Sequence, residues 1–139
     1  PATGFSLGIS RLQSALAAAG QTLAARQGPI VILALDKDNM VGYMRMAAEL
    51  RTAGIAAEVY LGSAGMKAQM KYADRRAAPI VILEGSNERD AGTVTLKDLK
   101  LGAEMAKTVT DNETWRTGKV AQIEVPRANL IAAIKDMLV

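Results

Sequence analysis

The chain has 139 residues, half of them hydrophobic and 22% charged, with a formal net charge of +3. That is the size and composition of one folded domain with room for a single core. It contains neither Cys nor His, which excludes disulfides, thiolate metal sites and both Ser-His-Asp and Cys-His catalysis within the chain. The lack of Cys also fits a reducing, cytoplasmic compartment.

No run of about eighteen apolar residues occurs, so no membrane span is expected. The chain begins Pro-Ala-Thr, without Met and without a signal-peptide pattern. This reads as a cut end, with the chain a piece of something longer.

Residues 4–9 are apolar and punctuated by Gly, as at the end of a strand. Ser10 is placed to cap a helix starting at Arg11, with Leu12, Ala15, Leu16 and Ala19 at helical spacing and Gly20 as its stop. The polar connector 21–28 marks a domain boundary. Residues 29–35 (PIVILAL) form a continuous apolar run of strand length, as in strands covered on both faces. Residues 36–39 are a polar turn rich in helix-capping types. The spacing predicts a helix over 40–53 with Met40, Met44, Ala47 and Leu50 on one face and Gly54 as its stop. A second strand follows at 56–61, then a helix over 66–76. Pro79 ends that helix by disfavouring helical backbone at Ala78, and 80–83 is a third, wholly apolar strand. This β-α-β-α-β order predicts parallel pairing.

A polar gap separates the third strand from a fourth at 92–96, where Val94 and Leu96 alternate with Thr93 and Thr95. Residues 101–107 suit a helical turn. Residues 108–119, with Trp115, read as an insertion or hairpin. A fifth strand is expected at 120–125. After Pro126 a last helix carries Leu130, Ile131, Ile134, Met137 and Leu138 on its buried stripe. The expected fold is α/β, a five-stranded mixed sheet flanked by helices.

Two places stand out for binding. On the 66–76 helix, Lys67, Lys71 and Arg75 lie at i, i+4 and i+8 with Arg76 beside them, while Met66, Met70 and Ala73 form the opposite, buried face. Like charges so spaced cost a few tenths of a kcal/mol each. Two readings of the stripe stand. It is a solvated face with Asp74 as partial counter-charge, or it holds phosphates with Tyr72 available to stack on an unpaired base. The second place is the carboxyl ends of the strands, where open parallel sheets gather ligands. These carry Asp36-Lys37-Asp38 and Glu84-Gly85-Ser86. The acidic pair is similar to the magnesium pocket of receiver domains. Those domains carry a phospho-accepting Asp where this chain has Glu84, and ordinary turn and cap chemistry serves as well. No metal site is assigned.

The blocks PIVILAL, LRTAGIAAEVYLG, MKAQMKYADRRAAPIVILEG and GTVTLKDLKLG together resemble the C-terminal anticodon-binding domain of class II aminoacyl-tRNA synthetases, the histidyl-tRNA synthetase family most of all. GFSLGISRL resembles motif 3 of the class II catalytic domain, whose arginine falls on Arg11. Ser6 stands where that motif usually has Gly, and Ser10 where an acidic residue usually precedes the arginine.

The resemblance implies two parts: residues 1–28, the end of a catalytic domain with its linker, and residues 29–139, an anticodon-binding domain. It implies a parent enzyme that is an ATP- and magnesium-dependent histidine–tRNA ligase and a homodimer, in which Arg11 contacts ATP phosphate. This stretch alone is then non-catalytic and needs no cofactor. Its partners are the anticodon loop of histidine tRNA and the parent catalytic domain, with no membrane. Lys67, Lys71, Tyr72 and Arg75 become the expected RNA contacts, with Glu84 accepting from a base edge. A regulatory or scaffold domain of a synthetase-like paralogue is the alternative.

Overall fold

The computed structural model describes residues 2–20, 27–102 and 121–138. Five strands form one sheet: β1 (Ile30–Ile32), β2 (Ala57–Val59), β3 (Ile80–Leu83), β4 (Thr93–Asp98) and β5 (Gln122–Pro126). Their order is β2-β1-β3-β4-β5. The first three strands are parallel, with Val31 opposite both Glu58 and Val81. β4 and β5 add antiparallel, with Leu83 opposite Thr95 and Thr93 opposite Pro126. The mixed sheet is therefore as expected. Its topology brings the carboxyl ends of β1, β2, β3 and β5 and the amino end of β4 to one edge.

Helices α2 (Met40–Thr52) and α5 (Leu130–Met137) cover one face of the sheet, and α3 (Met66–Arg75) covers the other. Ile30, Ile32, Ile80, Ile82, Val94 and Leu96 pack with Tyr43, Met46, Leu50, Leu130 and Ile134. On the other side, Val31, Leu33, Val81 and Leu83 pack with Ala73 and Ala78. Alternate side chains of β1 and β3 thus enter different cores, which is why both strands read as unbroken apolar runs.

Several expectations are corrected. Residues 2–8 have no regular structure, and α1 spans Ile9–Ala18 with Gly8 at its start and no side-chain cap from Ser10. The Ser10 carbonyl instead accepts from the Ser14 hydroxyl at 3.0 Å. A strand needs neighbours for its N–H and C=O groups, and no described strand pairs with 4–9. None of the α1 residues is buried.

On α2 the buried face is Tyr43, Met46, Ala47 and Leu50, whereas Met44 is 42% exposed. Tyr43 replaces Met44 because its hydroxyl is fully partnered inside, as described below. On α3, Gln69 and Ala73 are buried and Met66 is 52% exposed. Thr95, expected on an open face, is 8% exposed, in register between Leu83 and Glu124.

The polar gap holds an unexpected helix, α4 (Ser86–Ala91), closed by Gly92 at φ 68°. The expected turn at 101–107 falls in part on a helical segment at 99–102. The remainder of it, and the 108–119 insertion with Trp115, lie outside the described residues.

Candidate nucleic-acid interface

The strand-end edge is built around the exits of β1 and β3. Past Ile32 the chain is held from both sides. From α3, the Gln69 side-chain amide acts like a neighbouring strand. Its Oε1 accepts from the Ala34 N–H at 2.9 Å and its Nε2 donates to the Ala34 carbonyl at 3.0 Å. The same Nε2 also donates to the Ala64 carbonyl at 2.9 Å, pinning the loop before α3. From α2, the Tyr43 hydroxyl accepts from the Asp36 N–H at 3.1 Å and donates to the Glu84 carbonyl at 2.7 Å. Burial pushes that hydroxyl's pKa up, against the hydrogen bond from Asp36. Both polar side chains are buried because each satisfies backbone groups that the shortened strands leave open.

Two carboxylates sit on this frame in contrasting states. Asp36 accepts from the Asp38 N–H at 3.1 Å and from Arg89 of α4 at 2.8 Å. The Arg89 guanidinium and the Asp38 amide hold its carboxyl below the usual range. The acidic pair of the sequence is thus a turn and an ion pair. Among the described residues no group of three or more His, Cys, Asp or Glu is placed to hold a metal.

Glu84 is 6% exposed and takes a hydrogen bond from Asn39 Nδ2 at 3.2 Å. Burial raises its pKa, while Arg127 and Arg89, and then Asn39, oppose that rise. The result is a desolvated acceptor whose negative form the charges of Arg127 and Arg89 favour. Such a group suits the paired N–H donors of a base edge, because acceptance in a low-dielectric site is stronger than in water. Arg127, in the turn before α5, also pairs with Glu49 at 2.6 Å. Glu88 accepts from the Gly85 N–H at 2.9 Å, shaping the start of α4.

The basic stripe is present as an exposed row. Lys67, Lys71 and Arg75 are all exposed on α3, and none makes an ion pair among the described residues. Arg76 differs from them, binding Glu58 through Nε at 2.9 Å and a terminal nitrogen at 3.0 Å. Tyr72 is half-buried. Its ring meets Tyr60 edge-on at 5.2 Å, and the nearby Glu58 carboxylate raises the pKa of its hydroxyl. Arg11 lies on α1, exposed and with no ion pair among the described residues. Gln69 lies on α3 between Lys67 and Lys71 and fixes the stripe's helix to the exit of β1. Sequence reasoning missed Asn39, Tyr43, Gln69, Arg89 and Arg127. A polar Gln inside an otherwise apolar helix face was a readable signal.

A family model described as "Anticodon binding domain" matches residues 29–137. Histidine–tRNA ligases of Bartonella henselae and Brucella ovis are 48% and 50% identical over 141 aligned residues. That of Caulobacter vibrioides is 50% identical over 139. Each alignment covers 99% of this chain and 28% of the relative, so the chain spans little more than a quarter of their length. The crystal structure of histidyl-tRNA synthetase from Nostoc sp. matches with a TM-score of 0.67 at 26% identity, over 96% of this chain and 28% of that one. The RNA binding domain of threonyl-tRNA synthetase from Cryptosporidium parvum shares the fold. Its TM-score is 0.58 at 15% identity, over 80% of this chain and 23% of that one. The sheet, the strand-end edge and these matches lead to one conclusion: the chain belongs to the anticodon binding domain family, in a form shared with histidine–tRNA ligases.

Proposed function

We propose that this chain is the anticodon-binding part of a histidine–tRNA ligase and that it recognises the anticodon loop of histidine tRNA. In this reading the chain orients that tRNA for a catalytic domain of the parent enzyme. The observation that carries the reading is Glu84, a buried carboxylate at the strand-end edge that accepts from Asn39 Nδ2. Single-stranded loops are read by base edges and stacking, while cations hold their phosphates. Glu84 takes the first task. Lys67, Lys71 and Arg75 take the second, with Tyr72 contributing the part of its ring that Tyr60 leaves open.

Residues 1–28 are assigned to the end of the parent's catalytic domain and its linker. There Arg11 meets ATP phosphate, and ATP and magnesium belong to that enzyme, a cytoplasmic homodimer. The identity to histidine–tRNA ligases along the whole chain favours this over a paralogue.

The test is binding of histidine tRNA at low salt by the chain and by a variant with Lys67, Lys71 and Arg75 changed to Gln. The variant is expected to bind more weakly. Equal binding would overturn the assignment of the stripe, and no binding by either would overturn the function.

A further inference from the structure

Asn39 stands at the start of α2, the position where an Asn side chain ordinarily accepts from the first free N–H groups of a helix. Here it makes no such cap. Its amide is turned the other way and donates to Glu84 Oε2 at 3.2 Å, across 45 residues of sequence. The Asp36 carboxylate already caps the turn that leads into α2, which leaves the Asn39 amide to Glu84.

Three residues on, Gly42 sits inside α2, where Gly is the least favourable residue other than Pro. Its φ is helical, so no turn requires it. What requires it is Asn39. A Cβ at position 42 would stand 2.9 Å from both Cγ and Nδ2 of Asn39, and nearer still to Oδ1. An Ala there forces the Asn39 amide off its seat. Tyr43, next in sequence, fixes the backbone of Glu84 through the 2.7 Å bond to its carbonyl. The backbone of Glu84 is therefore set by Tyr43 and its carboxylate by Asn39, just before α2, and Gly42 makes room for the second.

We propose that Asn39, seated by the absence of a side chain at Gly42, is the positioning residue that holds the Glu84 carboxylate for base reading. This rests on the reading of Glu84 given above. It predicts a separation that a structural role alone would not produce: Gly42→Ala improves the helix and impairs discrimination.

The experiment compares the whole chain with Gly42→Ala, Asn39→Ala and Glu84→Gln. Each protein's Kd is measured for the anticodon stem-loop of histidine tRNA and for the same hairpin with its anticodon scrambled, alongside the thermal midpoint. For Gly42→Ala the midpoint is expected unchanged or raised. The ratio of the two Kd values is expected to fall roughly tenfold, the worth of one hydrogen bond to a charged group. Affinity for the scrambled loop should be unaltered. Asn39→Ala, which removes a side chain that caps nothing, should reproduce the loss of discrimination and serves if Gly42→Ala folds poorly. If Glu84→Gln lowers the ratio but both α2 variants keep it, the positioning role is wrong while the reading of Glu84 survives. If Glu84→Gln leaves the ratio unchanged, the reading fails and the positioning role fails with it.

Discussion

Replacing Tyr43 by Phe removes a single oxygen from the middle of the molecule. The residue is fully buried, so the ring stays in place and no cavity of consequence opens. What is lost is a bridge. The hydroxyl donates to the Glu84 carbonyl at 2.7 Å and accepts from the Asp36 N–H at 3.1 Å. Both backbone groups then lack a partner. A buried polar group left unpaired costs about 1–3 kcal/mol. Asp36 lies at a half-buried edge where water replaces part of its bond, whereas the Glu84 carbonyl lies deeper. The expected loss is therefore about 2 kcal/mol. For a domain of this size 1 kcal/mol corresponds to roughly 4 °C, so the thermal midpoint should fall by about 8 °C. Circular dichroism melts of the chain, Tyr43→Phe and Tyr60→Phe measure this directly. Tyr60, half-buried against Tyr72, is the control, expected within about 0.5 kcal/mol of the parent. A Tyr43→Phe midpoint indistinguishable from that of Tyr60→Phe would refute the idea that this hydroxyl joins β1 to β3.

Burial holds Glu84 above the ordinary Glu value of 4.5, so the native state binds its proton more readily than the unfolded chain. Ionising it costs stability as pH rises from 4.5 through the native value. Glu84→Gln should then melt higher than the parent at pH 7, with the two midpoints converging as pH falls toward 4.5; parallel profiles would contradict the cause assigned to the shift. Each phosphate contact to a single strand contributes about 0.7 to the slope of log K against log salt. Neutralising Lys67, Lys71 and Arg75 together should flatten that slope by roughly 2, and an unchanged slope would place these cations away from the RNA. Ile82→Ala, in the central strand at 0% exposure, should cost about 2–5 kcal/mol in a denaturant titration. Leu12→Ala on α1, 56% exposed, should change stability by under about 0.5 kcal/mol; comparable losses would mean α1 packs against the domain. Ala77 adopts φ 51° without being Gly. Ala77→Gly should therefore stabilise by about 1 kcal/mol, less the entropy Gly adds to the unfolded chain, and a lower midpoint would show that entropy prevailing.

The parts of this fold that are legible in the sequence are those whose cause is local. Two apolar runs, at 29–35 and 80–83, read as strands because a strand buried on both faces tolerates no polar residue. Gly54 reads as a helix stop because it adopts φ 80°. Alpha-helix α4 escapes the same reading because Ser86–Ala91 has no apolar stripe to bury. Its evidence is Glu88 bonding back to the Gly85 N–H and Gly92 in left-handed backbone, two signals too short to rise above a polar turn. The expected strand at 4–9 fails for the opposite reason. Its local pattern is strand-like, but a strand exists only with a neighbour, and none is described.

The candidate site divides along the same line. The basic stripe is readable because 3.6-residue periodicity alone puts Lys67, Lys71 and Arg75 in a row. Glu84 is readable as a position, since it follows an apolar strand, but its burial is not. The residues that make it an acceptor come from α2, α4 and the turn before α5. Their roles exist only once the sheet order brings β4 beside β3 and the start of α2 beside Glu84. Even so, three residues near the site leave a local anomaly. Gln69 is a polar residue on an apolar helix face, Asn39 a capping residue that follows an Asp already capping the turn, and Gly42 a glycine inside a helix. A residue that is locally unfavourable and yet buried or bonded at long range is where the fold forgoes local propensity for geometry. Here those anomalies lie around the strand-end edge, beside Glu84, the carboxylate whose pKa is raised with burial as the largest cause.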